Sequence, residues 1–332
     1  MKYAKIISSL LIFAIALSLT GCGSTDISMP YYSNTTELGD ITSVIATDAS
    51  YEAESLSRDL CVVPENSINN TDDDGISAEG AILVDIDNNN MIYSKNIYER
   101  LYPASLTKLA TALVCLEYGD LYDTVTVSYK AANMNIPGAK LCYLREGDKI
   151  NFKVLLTSFL CYSGNDAGIA LAEHIAGTEN EFVVLVNDEL RRIGAVDSHF
   201  TNSHGLHDDE HYTTVYDMYL IVNELLKYDV FEEISSLKSY TAKFEDGSGN
   251  PIKKIYENTD RFLIGEKDLI KGFKITGSKT GTTLKAGYCL ALVTKSKKGR
   301  YISIIMKARI SDVLYDEMNT LLKMAKKNKT GS

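Results

Sequence analysis

Strand-like runs stand at both ends of the globular part of this chain, with a long stretch of helical periodicity between them. That order restricts the fold more than any single motif. Near the first end, GAILVDI from Gly80 to Ile86 and MIYSKN from Met91 to Asn96 flank a polar DNNN, the pattern of a hairpin. Near the last, runs at Lys271–Ser278, Ala286–Thr294 and Arg300–Lys307 read as strands, followed by a closing helix near Asp312–Lys326. Between them, apolar residues recur at helical spacing, which predicts helices near Ser105–Glu117, Phe152–Leu160, Asp166–Ala176, Glu181–Gly194 and Val215–Leu226. FEDGSGNPIKK supplies a Gly/Pro turn between two further strand-like runs. Strands at both ends with helices between them imply one antiparallel sheet built from both chain ends around an inserted helical subdomain, an α+β fold.

The residues ahead of that domain decide its compartment. Lys2 and Lys5 precede an apolar run from Ile6 to Leu19 that ends in LTGC, so residues 1–22 read as a secretion signal. Leu-x-Gly-Cys resembles the lipobox of bacterial lipoproteins, which implies cleavage before Cys22, a lipid on its sulfur and a place on the outer face of the bacterial cell membrane. The alternatives are a signal peptide without lipid or a short transmembrane anchor. From residue 23 to 77 the chain turns to Ser, Thr, Asn and Asp, the composition of a solvated tether, with short apolar patches at Ile41–Ala46 and Leu60–Val63. The globular domain is then expected over residues 78–327, with a polar tail at 328–332.

With Asp+Glu 44 against Lys+Arg 34 in 332 residues, the chain is acidic, and it shows no basic stripe fit for nucleic acid. Its best basic cluster, Lys295, Lys297, Lys298 and Arg300, sits between two apolar runs and reads as a hairpin turn. Of six cysteines, Cys22, Cys61, Cys115, Cys142, Cys161 and Cys289, five remain if Cys22 is lipidated, and five cannot all pair. Cys115, Cys161 and Cys289 lie in apolar stretches and read as buried free thiols; no pair has zinc-ligand spacing.

Ser105 and Lys108, in YPASLTKLATALVCLEYG, are three apart at the mouth of an apolar helix and so share a face. Burial and nearby positive charge depress a lysine pKa, and a neutral amine can take the proton of a serine attacking an acyl carbon. Ser163 and Asn165 in CYSGNDAG, with Lys279, Thr280 and Gly281 in GSKTGTT, complete the Ser-x-x-Lys, Ser-x-Asn, Lys-Thr-Gly set of penicillin-interacting serine enzymes. A second set runs in the same order: Ser235 to Lys238, Ser248 and Asn250, Lys329 to Gly331. Context separates them. The first has Ser105 opening a helix, Ser163 between two helices and Lys279 ending a strand, whereas SSLK runs into a strand, SGNP is a turn and the last Lys-Thr-Gly lies in the tail. Backbone N–H groups of Ser105 and Thr282 are placed to form an oxyanion pair, and Gly281 permits close approach of the strand to a substrate.

Four stretches, YPASLTKLATAL, SGNDAGIALAEHIAG, SHFTNSHGLHDDEHYTTVYDM and KTGTTLKAGYCLAL, resemble the serine D-alanyl-D-alanine carboxypeptidases, the low-molecular-mass penicillin-binding proteins, from about Gly80 to Lys326. The resemblance implies a β-lactamase/transpeptidase-like fold and removal of the last residue of peptidoglycan stem peptides ending in D-Ala-D-Ala, through an acyl-enzyme on Ser105. It implies Lys108 as base, Ser163 and Asn165 as proton relay and substrate-amide contact, Lys279 and Thr280 as the peptide-holding edge, β-lactams as covalent inhibitors, and no cofactor. Two departures stand out: Thr282 replaces an aromatic residue or His after Lys-Thr-Gly, and Leu314 stands in LYD where relatives carry a carboxylate-binding Arg, with Arg309 nearby. The chain's end just past the closing helix implies no further β-rich domain or amphipathic anchor, the lipid on Cys22 taking the anchor's place.

Three rival readings remain open. A β-lactamase of the commonest class needs Glu-x-x-Leu-Asn, yet Glu266 and Leu269 are followed by Ile270. A metal enzyme could use His204, His207 and His211, though SHGLHDDEH lacks the order of known zinc signatures. The third is a weakly catalytic peptidoglycan-binding or sensory module.

Overall fold

The computed structural model describes residues 74–327. The signal run with Cys22, most of the tether with its apolar patches, Cys61, and the tail with the second Lys-Thr-Gly lie outside the described residues. The strands in chain order are β1 (Gly80–Asp85), β2 (Asn90–Lys95), β3 (Thr124–Thr126), β4 (Lys149–Asn151), β5 (Ser239–Glu245), β6 (Pro251–Glu257), β7 (Lys274–Thr283), β8 (Gly287–Lys295) and β9 (Arg300–Ala308). The helices are α1 (Thr107–Tyr118), α2 (Tyr129–Ala132), α3 (Phe152–Tyr162), α4 (Asn165–Ala176), α5 (Glu179–Arg192), α6 (Val215–Leu225), α7 (Asp229–Ser235), α8 (Arg261–Ile264) and α9 (Ser311–Lys327).

The main sheet is antiparallel in the order β2-β1-β9-β8-β7, so the first strands do pair with the last. Side chains alternate across a strand, and here both faces are apolar. Ile82 and Val84 of β1, Ile302 and Ile304 of β9, and Ala291 and Val293 of β8 face the helical subdomain. Leu83, Leu290, Leu292 and Ile305 face the other way, onto Met318 and Leu321 of α9. The helical side is centred on α1, whose residues from Thr107 to Cys115 are all buried, with α6 packed between α1 and the sheet.

The expectation of a single sheet needs correction. β3, β4, β5 and β6 form a second sheet of four strands away from the main one. Its strands bury only scattered positions on one face, whereas β8 and β9 are buried on both, and a strand apolar on one side alone suits a surface sheet. α7 was not legible either. The tether's last residues lie against the domain: Ile76 is buried, and Ser77 gives its N–H and hydroxyl to Glu317 of α9 at 2.5 and 2.6 Å.

Candidate active site

Ser105 sits in a 3-10 turn, Ala104–Leu106, that leads directly into α1. The residue before it, Ala104, has φ +48, a left-handed conformation that costs an alanine roughly 1–2 kcal/mol. Packing imposes it. The Thr107 hydroxyl donates to the Ala104 carbonyl at 2.7 Å, so its remaining contact, His211 Nε2 at 2.7 Å, must be the donor to it. His211 Nδ1 accepts the Thr201 N–H at 3.0 Å, which fixes the neutral Nε2–H tautomer. Burial and the neighbouring histidines agree, holding its pKa down at about 3.

Two glycines close on this turn. Gly205 has φ +89, and a methyl group there would lie 1.9 Å from the Ala104 carbonyl oxygen. A methyl on Gly281 would lie 2.8 Å from the Pro103 carbonyl oxygen and 3.1 Å from the Ser105 nitrogen. The close approach that Gly281 permits is therefore to the nucleophile's own turn. It draws β7 against the Ser105 N–H.

Lys108 is fully buried, and its amine lies 3.2 Å from Ser105 Oγ, 2.7 Å from Asn165 Oδ1 and 2.5 Å from the His204 carbonyl oxygen. Burial, then the charge of Lys279, holds its pKa well below the ordinary lysine range. A neutral amine has two N–H groups and one lone pair. Asn165 Oδ1 and the His204 carbonyl only accept, so they take both hydrogens and the lone pair is left for the Ser105 hydroxyl. The oxygen of Asn165 is thus engaged by the lysine, while its backbone N–H bonds the Lys140 carbonyl at 2.7 Å.

Ser163 caps α3 with φ +71, and its hydroxyl accepts from Lys279 Nζ at 3.0 Å. Lys279 was expected to end a strand. It lies mid-strand instead, because β7 continues through Thr283 and glycine at 281 serves contact, not termination. Burial, then Lys140, brings Lys279 down to about 7. Among the described residues β7 pairs only with β8, and its other edge faces the site, where Thr280, Gly281 and Thr282 line the wall. Thr280 is tied to Thr259 by a hydroxyl contact of 2.5 Å.

These groups surround a cavity of about 720 Å3, to which Ser105, Ser163 and Asn165 all contribute. Among the described residues no Asp or Glu lines it, in a chain of net charge −10, whereas Lys140, Arg261 and Lys285 do. Arg261 was not legible as a site residue. It comes from α8 and stands with Leu314, which is buried, and Ser311; Arg309 is exposed and not part of the lining. Nε of Arg261 donates to Glu266, and Nη1 to Ser311 and Asp312.

The three histidines part company. His211 braces the nucleophile turn, His204 offers its backbone, and His207 packs edge-on against Tyr102. Among the described residues no group of three His, Cys, Asp or Glu is placed to hold a metal. In the second motif set, Ser235 is fully buried with its hydroxyl unbonded, and Lys238 is exposed. Cys115, Cys142, Cys161 and Cys289 are buried free thiols.

Residues 64–310 match the profile of the D-alanyl-D-alanine carboxypeptidase family. The chain belongs to this family. It is 36% identical over 239 residues to the D-alanyl-D-alanine carboxypeptidase DacF of Bacillus subtilis, covering 70% of this chain and 57% of that protein. To DacC of Escherichia coli it is 31% identical over 255 residues, covering 74% of this chain and 60% of the relative. The chain thus spans less than two thirds of the length of these relatives. Among solved structures, the D-alanyl-D-alanine carboxypeptidase DacD from Francisella tularensis matches with a TM-score of 0.66 at 25% identity, over 81% of this chain and 73% of that one. A Streptomyces DD-transpeptidase shares the fold, with a TM-score of 0.69 at 24% identity over 76% of this chain and 98% of that one. The β-lactamase/transpeptidase-like fold expected from the resemblance is therefore the fold of this family member.

Proposed function

We propose that the chain is a serine D-Ala-D-Ala carboxypeptidase that trims peptidoglycan stem peptides. The single observation behind this reading is the Lys108 amine, fully buried with both hydrogens engaged and its lone pair toward Ser105. Ser105 Oγ attacks the carbonyl of the penultimate D-Ala while its proton passes to Lys108. The Ser105 and Thr282 N–H groups receive the negative charge on the carbonyl oxygen. The peptide C–N bond then breaks as the proton held by Lys108 passes through the Ser163 hydroxyl to the departing D-Ala amine, which leaves Lys108 neutral and an ester on Ser105. Water attacks that ester while giving its proton to Lys108, which returns it to Ser105 Oγ as the shortened peptide leaves. Lys279, Thr280 and Arg261 draw in the terminal carboxylate, and β-lactams acylate the same serine. Digesting a D-Ala-D-Ala-terminated muropeptide tests this: D-Ala should be released, and no release by folded protein refutes the reading.

Lipid on Cys22 is proposed to hold the domain at the outer face of the membrane, supported by the LTGC sequence. A flexible tether of about 50 residues has a reach on the order of 40 Å. Cys22→Ala should free the protein from the membrane fraction; retention there would argue for an uncleaved anchor.

A further inference from the structure

Lys140 is a cation of the cavity wall that the catalytic scheme above does not use. Its amine lies 4.1 Å from the centre of the Tyr162 ring and makes no hydrogen bond or ion pair among the described residues. Its position, by contrast, is firmly set. The Lys140 carbonyl accepts the Asn165 N–H at 2.7 Å, and the Asp166 carboxylate accepts the N–H groups of Cys142 at 2.8 Å and Leu144 at 3.1 Å. The loop is therefore pinned to the first residues of α4, next to the nucleophile's machinery. A cation at a binding surface with no carboxylate in ion-pair contact among the described residues, Glu257 acting on it only at longer range, is suited to an anion from the ligand.

The wall matters as much as the charge. Arg261, Ser311 and Leu314 stand on the α9 side, where the terminal carboxylate is drawn, whereas Lys140 stands on the loop with Ile136 and Pro137. Ile136 is 48% exposed, an apolar surface on the same loop as the ammonium. That pairing fits a methylene stem ending in a carboxylate. Resting on the reading that the site takes D-Ala-D-Ala peptides, we propose that Lys140 forms a second anion-binding position, selecting peptides whose residue before D-Ala-D-Ala carries a side-chain carboxylate.

Binding isolates this from catalysis. Two peptides ending in D-Ala-D-Ala, preceded by L-2-aminoadipic acid or by its side-chain amide, are titrated calorimetrically into the full-length chain in detergent with Ser105→Ala. The acid should bind about five- to tenfold tighter than the amide at low salt, with the ratio shrinking as salt rises. In the double variant with Lys140→Met the ratio should fall to about one, and with Lys140→Arg it should largely persist, a thermal melt confirming that each variant is folded. Equal affinities in the Ser105→Ala chain, no binding of either peptide, or a ratio that survives Lys140→Met would each overturn the proposal. D-Ala release by the unmodified chain reports separately on the carboxypeptidase reading.

Discussion

The side-chain oxygen of Asn165 lies 2.7 Å from the amine of Lys108, and with the His204 carbonyl it determines which way the lysine's lone pair faces. Asn165→Asp places an anion at the same contact. An opposite charge favours the ammonium form, so the Lys108 pKa rises and the free base appears only at higher pH. The acid limb of penicillin acylation should move up by roughly one unit or more. An unmoved profile would show that Lys108 is not the titrating base.

Lys108→Ala leaves Ser105 a weak alcohol without a proton acceptor. Acylation by a labelled penicillin should fall by about a hundredfold or more, the usual range for a lost acid–base group. In the unmodified chain the label should sit on Ser105, and Ser235 should carry none, since its hydroxyl is buried without a partner. Label on Ser235 would undo the choice between the two motif sets.

Gly205→Ala tests the packing behind the strained Ala104. The added methyl meets a backbone carbonyl oxygen at 1.9 Å and a φ of +89, so the loop must shift. A loss of roughly 1–3 kcal/mol in unfolding free energy is expected, with slower acylation. Unchanged melting and unchanged labelling together would show that the loop yields freely.

His211 gives a pH signature. Its pKa is lowered from 6.5 to about 3 by burial, so the folded state holds it neutral while the unfolded chain protonates it. Its contribution to stability is complete above about 6.5 and is lost as pH falls toward about 3. His211→Gln keeps a donor toward Thr107 and does not titrate. Over that window the parent chain should lose stability relative to the variant, by up to about 4 kcal/mol, in chemical denaturation at each pH. Asp217, raised to about 6, acts in the opposite sense but is common to both proteins. Parallel stability curves would argue against a buried neutral His211.

Arg261 and Arg309 make contrasting predictions. Arg261 lines the cavity with Leu314, whereas Arg309 does not. Arg261→Gln should lower kcat/KM on D-Ala-D-Ala peptides about tenfold, the scale of one charge-assisted contact, and Arg309→Ala by less than about twofold. Leu314→Arg should restore part of the loss in the Arg261→Gln background and add little alone. The reverse ranking of the two arginines would assign the terminal carboxylate to Arg309.

Local chemistry in the sequence determined a good deal of this protein. Period-two and helical spacing placed the terminal strands and the main helices, because burial on a face is written into residue order. Ser105 and Lys108 were bound to meet, being three residues apart at a helix start. Tertiary structure decided the rest. Whether β5 and β6 joined the main sheet depended on partners far along the chain, and a strand's own pattern does not name its neighbour. The lysine's orientation comes from a backbone carbonyl at His204, a group every residue carries and no motif reveals. Arg261 and Lys140 acquire meaning only from the cavity they border, since a cation's role depends on which carboxylates folding brings near it or keeps away. Between the two motif sets, residue type was equal and sequence context favoured the first; burial adds the physical reason, sealing Ser235 from solvent and placing Ser105 at an open site.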